Sequence, residues 1–168
     1  LQIVNFFIPT HGLDVVYLEV SQMLLAELDF ISEANNVEKV QSNFREISPD
    51  VEIGFPKVIR DHSSAKVLTT TFIDATKISS VDELKSQGHD LGKIARDVVE
   101  IYCRQIFEHG FYHADPHPGN VLVDSTGKIT LLDFGAVATI DPKMRRGIAE
   151  FIQAVLTQNT EQIATALK

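Results

Sequence analysis

Three oxygen-bearing side chains in this sequence stand where a β-hairpin would gather them. Asp115 and Asn120 lie at the start of the strand-like run "NVLVD" (120–124), and Asp133 follows "ITLL" (129–132), with the turn "STGK" between. A hairpin brings its outer ends together, so the three side chains should converge at one end of one sheet. Oxygen donors at one point suit a hard cation such as Mg²⁺, which shares its remaining positions with phosphates. Gly135 lets the chain turn sharply just after Asp133.

The order H-x-D-x-x-x-x-N, here His113, Asp115 and Asn120, precedes D-F-G at 133–135. That order is the arrangement of phosphoryl-transfer enzymes of the protein-kinase type. Their chemistry needs one carboxylate, here Asp115, to orient or deprotonate the acceptor hydroxyl or water. It needs an amide oxygen and a second carboxylate, here Asn120 and Asp133, to hold metal on the triphosphate. Positioning and charge neutralisation then carry the catalysis. Either motif alone is weak, but both together, flanking a hairpin and preceded by a long helix, are specific. His113 belongs to this catalytic loop and is read as a packed histidine that hydrogen-bonds it. A competing reading makes His113, Asp115 and His117 zinc ligands. Against it, the sequence has no helical H-E-x-x-H, and His62, His89 and His109 fall at a turn, a loop and a helix end. Pro116 and Pro118 stiffen the loop.

The elements that must position these groups are legible in the spacing. "THGLD" (10–14) reads as a turn with a cap, and residues 15–45 as one long helix with an apolar stripe through Val16, Val20, Leu24, Leu28, Ile31, Val37, Val40 and Phe44. "SPD" (48–50) ends it. "PKVIR" (56–60) and "KVLTTTFI" (66–73) read as a hairpin. Ser80 is a candidate cap for a short helix. A second long helix, Asp90 to Glu108, carries Ile94, Val98, Ile101, Tyr102 and Ile106 on one side and stops at Gly110. Two short helices broken near "QNT" make the tail from Pro142 to Leu167. In the first helix Asp29 and Glu33 stand at i,i+4, where like charges cost a few tenths of a kcal/mol. A solvated acidic face is the plain explanation, but apolar residues surround the pair and Asn36 continues the polar stripe.

Composition bounds the rest. With 168 residues the chain can bury one core. A net charge of −8 does not mark a nucleic-acid binder. The single cysteine, Cys103, cannot form an internal disulfide and is read as a buried thiol in an apolar pattern. No apolar run reaches the roughly 18 residues of a membrane span. The chain opens at Leu1 in mid-pattern, which predicts a piece of a longer protein.

"ELDFISEANN", "KVLTTTFID", "FYHADPHPGNVLV" and "ITLLDFGAVATID" together resemble the UbiB (AarF, ADCK) family of atypical protein-kinase-like proteins. The resemblance covers nearly the whole chain. It implies an α+β, protein-kinase-like fold, partial and mainly helical with two short β-hairpins. Residues 1–73 would be the remainder of the small lobe, with the hinge near 70–74, and 75–168 the large lobe. It implies ATP and Mg²⁺ as cofactors, with Asp115 the catalytic aspartate and Asn120 and Asp133 the metal ligands. Adenine would rest on Thr70, Thr71, Phe72 and Ile73. Glu27 and Asp29 match the family's E-x-D motif, which faces a family-specific N-terminal extension. Glu33 would partner the ATP-site lysine, with Glu27 the alternative. The family's association with membranes and with ubiquinone or other prenylquinone biosynthesis implies partners among quinone-biosynthesis proteins or lipid-like quinone precursors. Bacterial inner membrane, mitochondrion and plastid all fit.

Departures from the usual kinase pattern bear on the acceptor. The nucleotide loop, the lysine and the K-x-G-Q extension would lie upstream of Leu1, so this piece alone should bind ATP poorly. Ala114 replaces the arginine that reads a phosphorylated activation loop. "DFGAVATIDPKMRR" reads as passing straight from Asp-Phe-Gly into a helix, with no Ala-Pro-Glu segment. Both argue against protein substrates. The alternatives are a small-molecule phosphotransferase of the aminoglycoside or choline kinase type, and a non-catalytic nucleotide-sensing scaffold.

Overall fold

A computed structural model describes Tyr17 and residues 29–162. Glu27, the turn at 10–14, the helix expected before Asp29 and the end of the tail lie outside the described residues.

Helix α1 (Phe30–Ile47) starts where the sequence supplies a cap. Asp29 is non-helical, with φ −99° and ψ 81°, and accepts the N–H groups of Ile31 and Ser32, both at 3.2 Å. The Ser32 hydroxyl donates to it at 2.7 Å. The expectation of one helix running through from residue 15 is therefore corrected, since Asp29 interrupts it. The expected Asp29–Glu33 repulsion inside a helix goes with it: a capping carboxylate is favoured by the N–H groups it receives. The Ser32 bonds hold the Asp29 carboxyl below its ordinary range. Ala34, Val37, Val40 and Phe44 make the buried stripe. Ser48 ends the helix, because a residue before proline is pushed out of the α region.

Helices α2 (Val81–Ser86) and α3 (Leu91–Cys103) follow. Asp90 caps α3 through Gly92 and Lys93 N–H at 2.8 and 3.0 Å. Ser80 precedes α2 as expected, though its hydroxyl makes no capping bond. Ile94 and Ile101 are buried on α3. Cys103 is exposed, a correction to the expected buried thiol. It lies two positions past Ile101, on the far side of a 3.6-residue turn. The helix then widens into a π-helical turn, Arg104–His109, and stops at Gly110. Gly110 has φ +65°, and a Cβ there would approach the Ile140 carbonyl oxygen to 3.0 Å. Both the dihedral and the space require glycine.

The main sheet has the order β1-β5-β4-β2, from β1 (Ile53–Gly54), β2 (Thr76–Lys77), β4 (Val121–Val123) and β5 (Ile129–Leu131). The β4–β5 hairpin is the expected one, with Val121 opposite Leu131 and Val123 opposite Ile129. Its turn is tied by Asp124, which accepts from Thr126 and Lys128 N–H. Strands β1 and β2, too short to read from sequence, flank it. A second sheet pairs β3 (Phe111–His113) with β6 (Val137–Thr139). The chain thus leaves Asp-Phe-Gly through a strand, correcting the direct passage into helix α4 (Pro142–Leu156). Asp141 caps α4, and the break after it at 157–159 falls where the tail's "QNT" predicted.

The other expected hairpin, 56–60 with 66–73, is reduced to single bridges, Val58 to Thr70 and Ser64 to Val67, around a 3₁₀ turn at Arg60–His62. The reason is burial. Val121, Val123, Ile129 and Leu131 of β4–β5 are all inside, each worth about 1.5–3 kcal/mol. No residue from 57 to 73 is buried, so pairing there rests on backbone bonds worth about 1 kcal/mol net apiece. The core joins Val37, Val40 and Phe44 of α1 to Leu84, Ile101, Phe111, the β4–β5 strands and Phe134.

Candidate active site

The sheets bring the chemistry-bearing loop and the D-F-G segment together. Beyond β3, the Ala114 N–H donates to the Ala136 carbonyl at 2.9 Å and extends the β3–β6 pairing up to the loop. The chain then makes a 3₁₀ turn, Pro118–Asn120, capped by His117, whose Nδ1 accepts the Gly119 N–H at 3.0 Å. Beyond the β4–β5 register, the Leu132 N–H donates to the Asn120 carbonyl at 2.8 Å. The ends of the hairpin therefore touch, and Asp133 follows directly. Asn120 Nδ2 donates to Asp115 Oδ2 at 3.1 Å, which leaves the amide oxygen of Asn120 turned to other partners. Asp115, Asp133 and Glu33 line one depression of about 380 Å³, with Phe30, Gly135 and Ala136.

Asp133 has φ +56°, in the left-handed region that costs an ordinary residue about 1–2 kcal/mol. Aspartate tolerates it by bonding locally, and Asp133 Oδ1 accepts the Gly135 N–H at 3.2 Å. Glycine would fit more easily, so folding alone does not call for a carboxylate here. The backbone of the next residue is gripped from α1. Glu33 Oε1 accepts the Phe134 N–H at 3.3 Å, and Asn36 Nδ2 donates to the Phe134 carbonyl at 3.0 Å. The Phe134 ring is fully buried, 5.1 Å from His113 and 5.9 Å from Phe55 between centroids. Burial raises the Glu33 carboxyl above its ordinary range, and the charge of Asp133 adds to the rise.

His113 is a buried structural histidine. Its Nδ1 accepts the Asp115 N–H at 3.1 Å, so the proton sits on Nε2, which donates to the Leu132 carbonyl at 2.9 Å. One imidazole thus ties the loop to the segment before Asp133. Neither nitrogen is free for zinc. Among the described residues no group of three His, Cys, Asp or Glu side chains is placed to hold a metal ion by itself. The zinc reading of His113, Asp115 and His117 is corrected accordingly.

Thr70, Thr71, Phe72 and Ile73 line a cleft of about 480 Å³ whose floor includes Leu122 and Leu132. Leu132 of this cleft is followed directly by Asp133, which lines the carboxylate depression. A larger hollow of about 630 Å³ lies across the 70–74 segment, against Phe44, Phe55 and Lys128. None of Asp115, Asn120 or Asp133 lines it. Asp29 is spent as a cap, away from both.

A family described as the ABC1 atypical kinase-like domain matches residues 1–167. The chain belongs to that family. The match bears out the UbiB-type resemblance and the kinase-like fold. Among ABC1 relatives, "Protein ACTIVITY OF BC1 COMPLEX KINASE 8, chloroplastic" of Arabidopsis thaliana is 32% identical over 90% of this chain and 20% of that protein. "Probable serine/threonine-protein kinase abkB" of Dictyostelium discoideum is 37% identical over 86% of this chain and 22% of its own length. The chain thus spans about a fifth of these relatives. A solved structure of Rv3197 from Mycobacterium tuberculosis, in complex with erythromycin, superposes with a TM-score of 0.62 at 21% identity. It covers 94% of this chain and 38% of that one, and the likeness is one of fold.

One residue of this ABC1 site escaped the sequence reading, and the contact of another did. Gln105 is fully buried, and its Oε1 accepts the His113 N–H at 2.9 Å. The available signal was a polar residue in the stripe of Val98 and Ile101. Asn36 was read as part of the polar stripe and, with Glu33, as a match to the family's E-A-x-N, but its contact with Phe134 spans 98 positions and has no local signature.

Proposed function

We propose that this chain is the core of an atypical kinase or ATPase that binds ATP with Mg²⁺ and serves ubiquinone or other prenylquinone biosynthesis. The observation that carries the reading is the convergence of Asp115, Asn120 and Asp133 beside the apolar cleft at Thr70–Ile73. Adenine would rest in that cleft between Ile73, Leu122 and Leu132. The donors at its end are carboxylate and amide oxygens, which fits a hard cation. Asp133 and the free amide oxygen of Asn120 would hold Mg²⁺, phosphates completing its shell. The ion, when bound, neutralises charge on the transferring group.

Asp115 stands at the acceptor side. As the acceptor oxygen bonds to the γ-phosphorus and the bond to the bridging oxygen of ADP breaks, Asp115 receives the acceptor's proton. Asn120 aims that carboxylate through its Nδ2 bond, and His113 fixes the loop backbone. Residues 136–141 are held by the pairing with β3 and lead into α4. That leaves little of the extended platform on which a peptide would lie. With Ala114 at the arginine position, this favours water or a small lipid-like acceptor over a protein. The chloroplast designation of the Arabidopsis relatives is compatible with a plastid setting. Among the described residues no helix is long and apolar enough to cross a membrane, and membrane association is proposed for the parts of the longer protein outside this chain.

The test is Mg²⁺-dependent ATP binding and hydrolysis by the full-length protein, wild type beside Asp133→Asn. Binding and slow hydrolysis lost together in the variant support the reading. No binding by the wild type overturns it. Survival of quinone production in Asp133→Asn cells would favour a scaffold instead.

A further inference from the structure

Tyr102 lies on the last turn of α3, next to the buried Ile101, and is half-buried. Its ring meets His113 edge-on, with centroids 6.4 Å apart. His113 in turn accepts the N–H of Asp115. The Tyr102 hydroxyl is buried and has no hydrogen-bond partner among the described residues. Buried hydroxyls are nearly always partnered, so this one calls for an explanation. The nearby catalytic carboxylate supplies one. Asp115 Oδ2 is taken by Asn120, whereas Oδ1 receives no donor among the described residues.

We infer that Tyr102 is a positioning residue for the nucleotide reaction proposed above, its hydroxyl donating to Asp115, directly or through one water, in the loaded site. The inference rests on that reading and deepens it. Asp115 shares its depression with the carboxylates of Glu33 and Asp133, and it lies on an exposed loop. A neutral donor reaching it from the protein side holds it toward the acceptor without adding charge. A phenol suits this place, because burial first and the Asp115 charge second push its own ionisation up to about 12. It therefore stays a donor across the working range. The neighbouring His113 cannot do the same job, since both its nitrogens are engaged.

The experiment compares Tyr102→Phe with wild type in the full-length protein. It measures ATP hydrolysis with Mg²⁺ and the melting temperature without nucleotide. Loss of a hydrogen bond to a charged group predicts a fall in kcat of about tenfold, with KM for ATP within about twofold. The unloaded variant should melt at the wild-type temperature or above, because it loses an unpartnered hydroxyl. An unchanged kcat overturns the inference, whatever happens to KM. So does a lower melting temperature or a failure to fold, because the hydroxyl would then have a structural partner already. A wild type that neither binds nor hydrolyses ATP overturns the underlying reading, and this inference with it.

Discussion

Asn36 of helix α1 donates a 3.0 Å hydrogen bond to the carbonyl oxygen of Phe134. Its neighbour one turn back, Glu33, takes the N–H of the same residue. Both polar groups of one buried backbone unit are thus satisfied by a single helix face. The residue before that unit is Asp133, so α1 sets where the proposed metal-binding carboxylate points. Asn36→Leu should strand the Phe134 carbonyl and cost about 1–3 kcal/mol of stability. Denaturant unfolding of the full-length protein would show this as a lower midpoint. Magnesium-dependent nucleotide binding should weaken as well. An unchanged midpoint would mean that water replaces the amide without loss.

Glu33→Gln separates the geometry of this grip from its charge. Glutamine keeps an oxygen for the Phe134 N–H but removes a carboxylate that burial and Asp133 disfavour. The folded-state pKa of Glu33 lies above its unfolded value, so the native chain holds the extra proton more tightly. The charged form's penalty is absent below the unfolded pKa and grows as pH rises through the window up to the folded one. The substitution should therefore stabilise the nucleotide-free protein at neutral pH by roughly a few tenths of a kcal/mol, discounted for partial exposure. The gain should vanish toward pH 4. Melting temperatures across pH 4–8 would check the sign, and a constant difference would point to packing rather than charge.

The dihedral of Asp133 gives a different ordering. Asparagine and glycine both accept φ +56°, while alanine should cost about 1 kcal/mol relative to asparagine. Valine should cost more. All four should lose magnesium-dependent nucleotide binding, since none carries the carboxylate. Stability falling in the order Gly or Asn, Ala, Val, with binding uniformly lost, would separate strain from ligation. Equal stabilities would show that the backbone relaxes when the side chain changes.

His113 offers a test against structural zinc. Both its ring nitrogens are committed within the protein, so a zinc chelator should leave the melting temperature unchanged, and elemental analysis should find no stoichiometric zinc. By contrast His113→Ala should destabilise the fold, because the Leu132 carbonyl and the Asp115 N–H both lose their partner.

The loop at 113–120, the D-F-G segment and their hairpin were legible because each rests on short-range order: turn residues, alternation and fixed spacings. The same local rules placed the stop at Gly110 and the start of the second long helix near Asp90. What was not legible depends on distant partners. Strand β6 exists because β3 lies beside it, and "VAT" carries little signal alone. The helix start at Asp29 was hidden inside a continuing apolar stripe, where a capping aspartate looks like any acidic surface residue. The 56–73 hairpin was overread because its β-branched residues, Val58, Val67 and the threonines, remain largely outside the core. Gln105, Asn36 and Tyr102 matter only through contacts that fold topology creates.

The segment 136–141 is stitched to strand β3, with flanking bonds from Ala114 to Ala136 and from Ile140 to Gly110. Releasing it would break several backbone bonds at once. At about 1 kcal/mol each, the released form would be on the order of 1% of molecules or fewer. For the reaction proposed above, control would then fall to delivery: how fast nucleotide and acceptor arrive and leave.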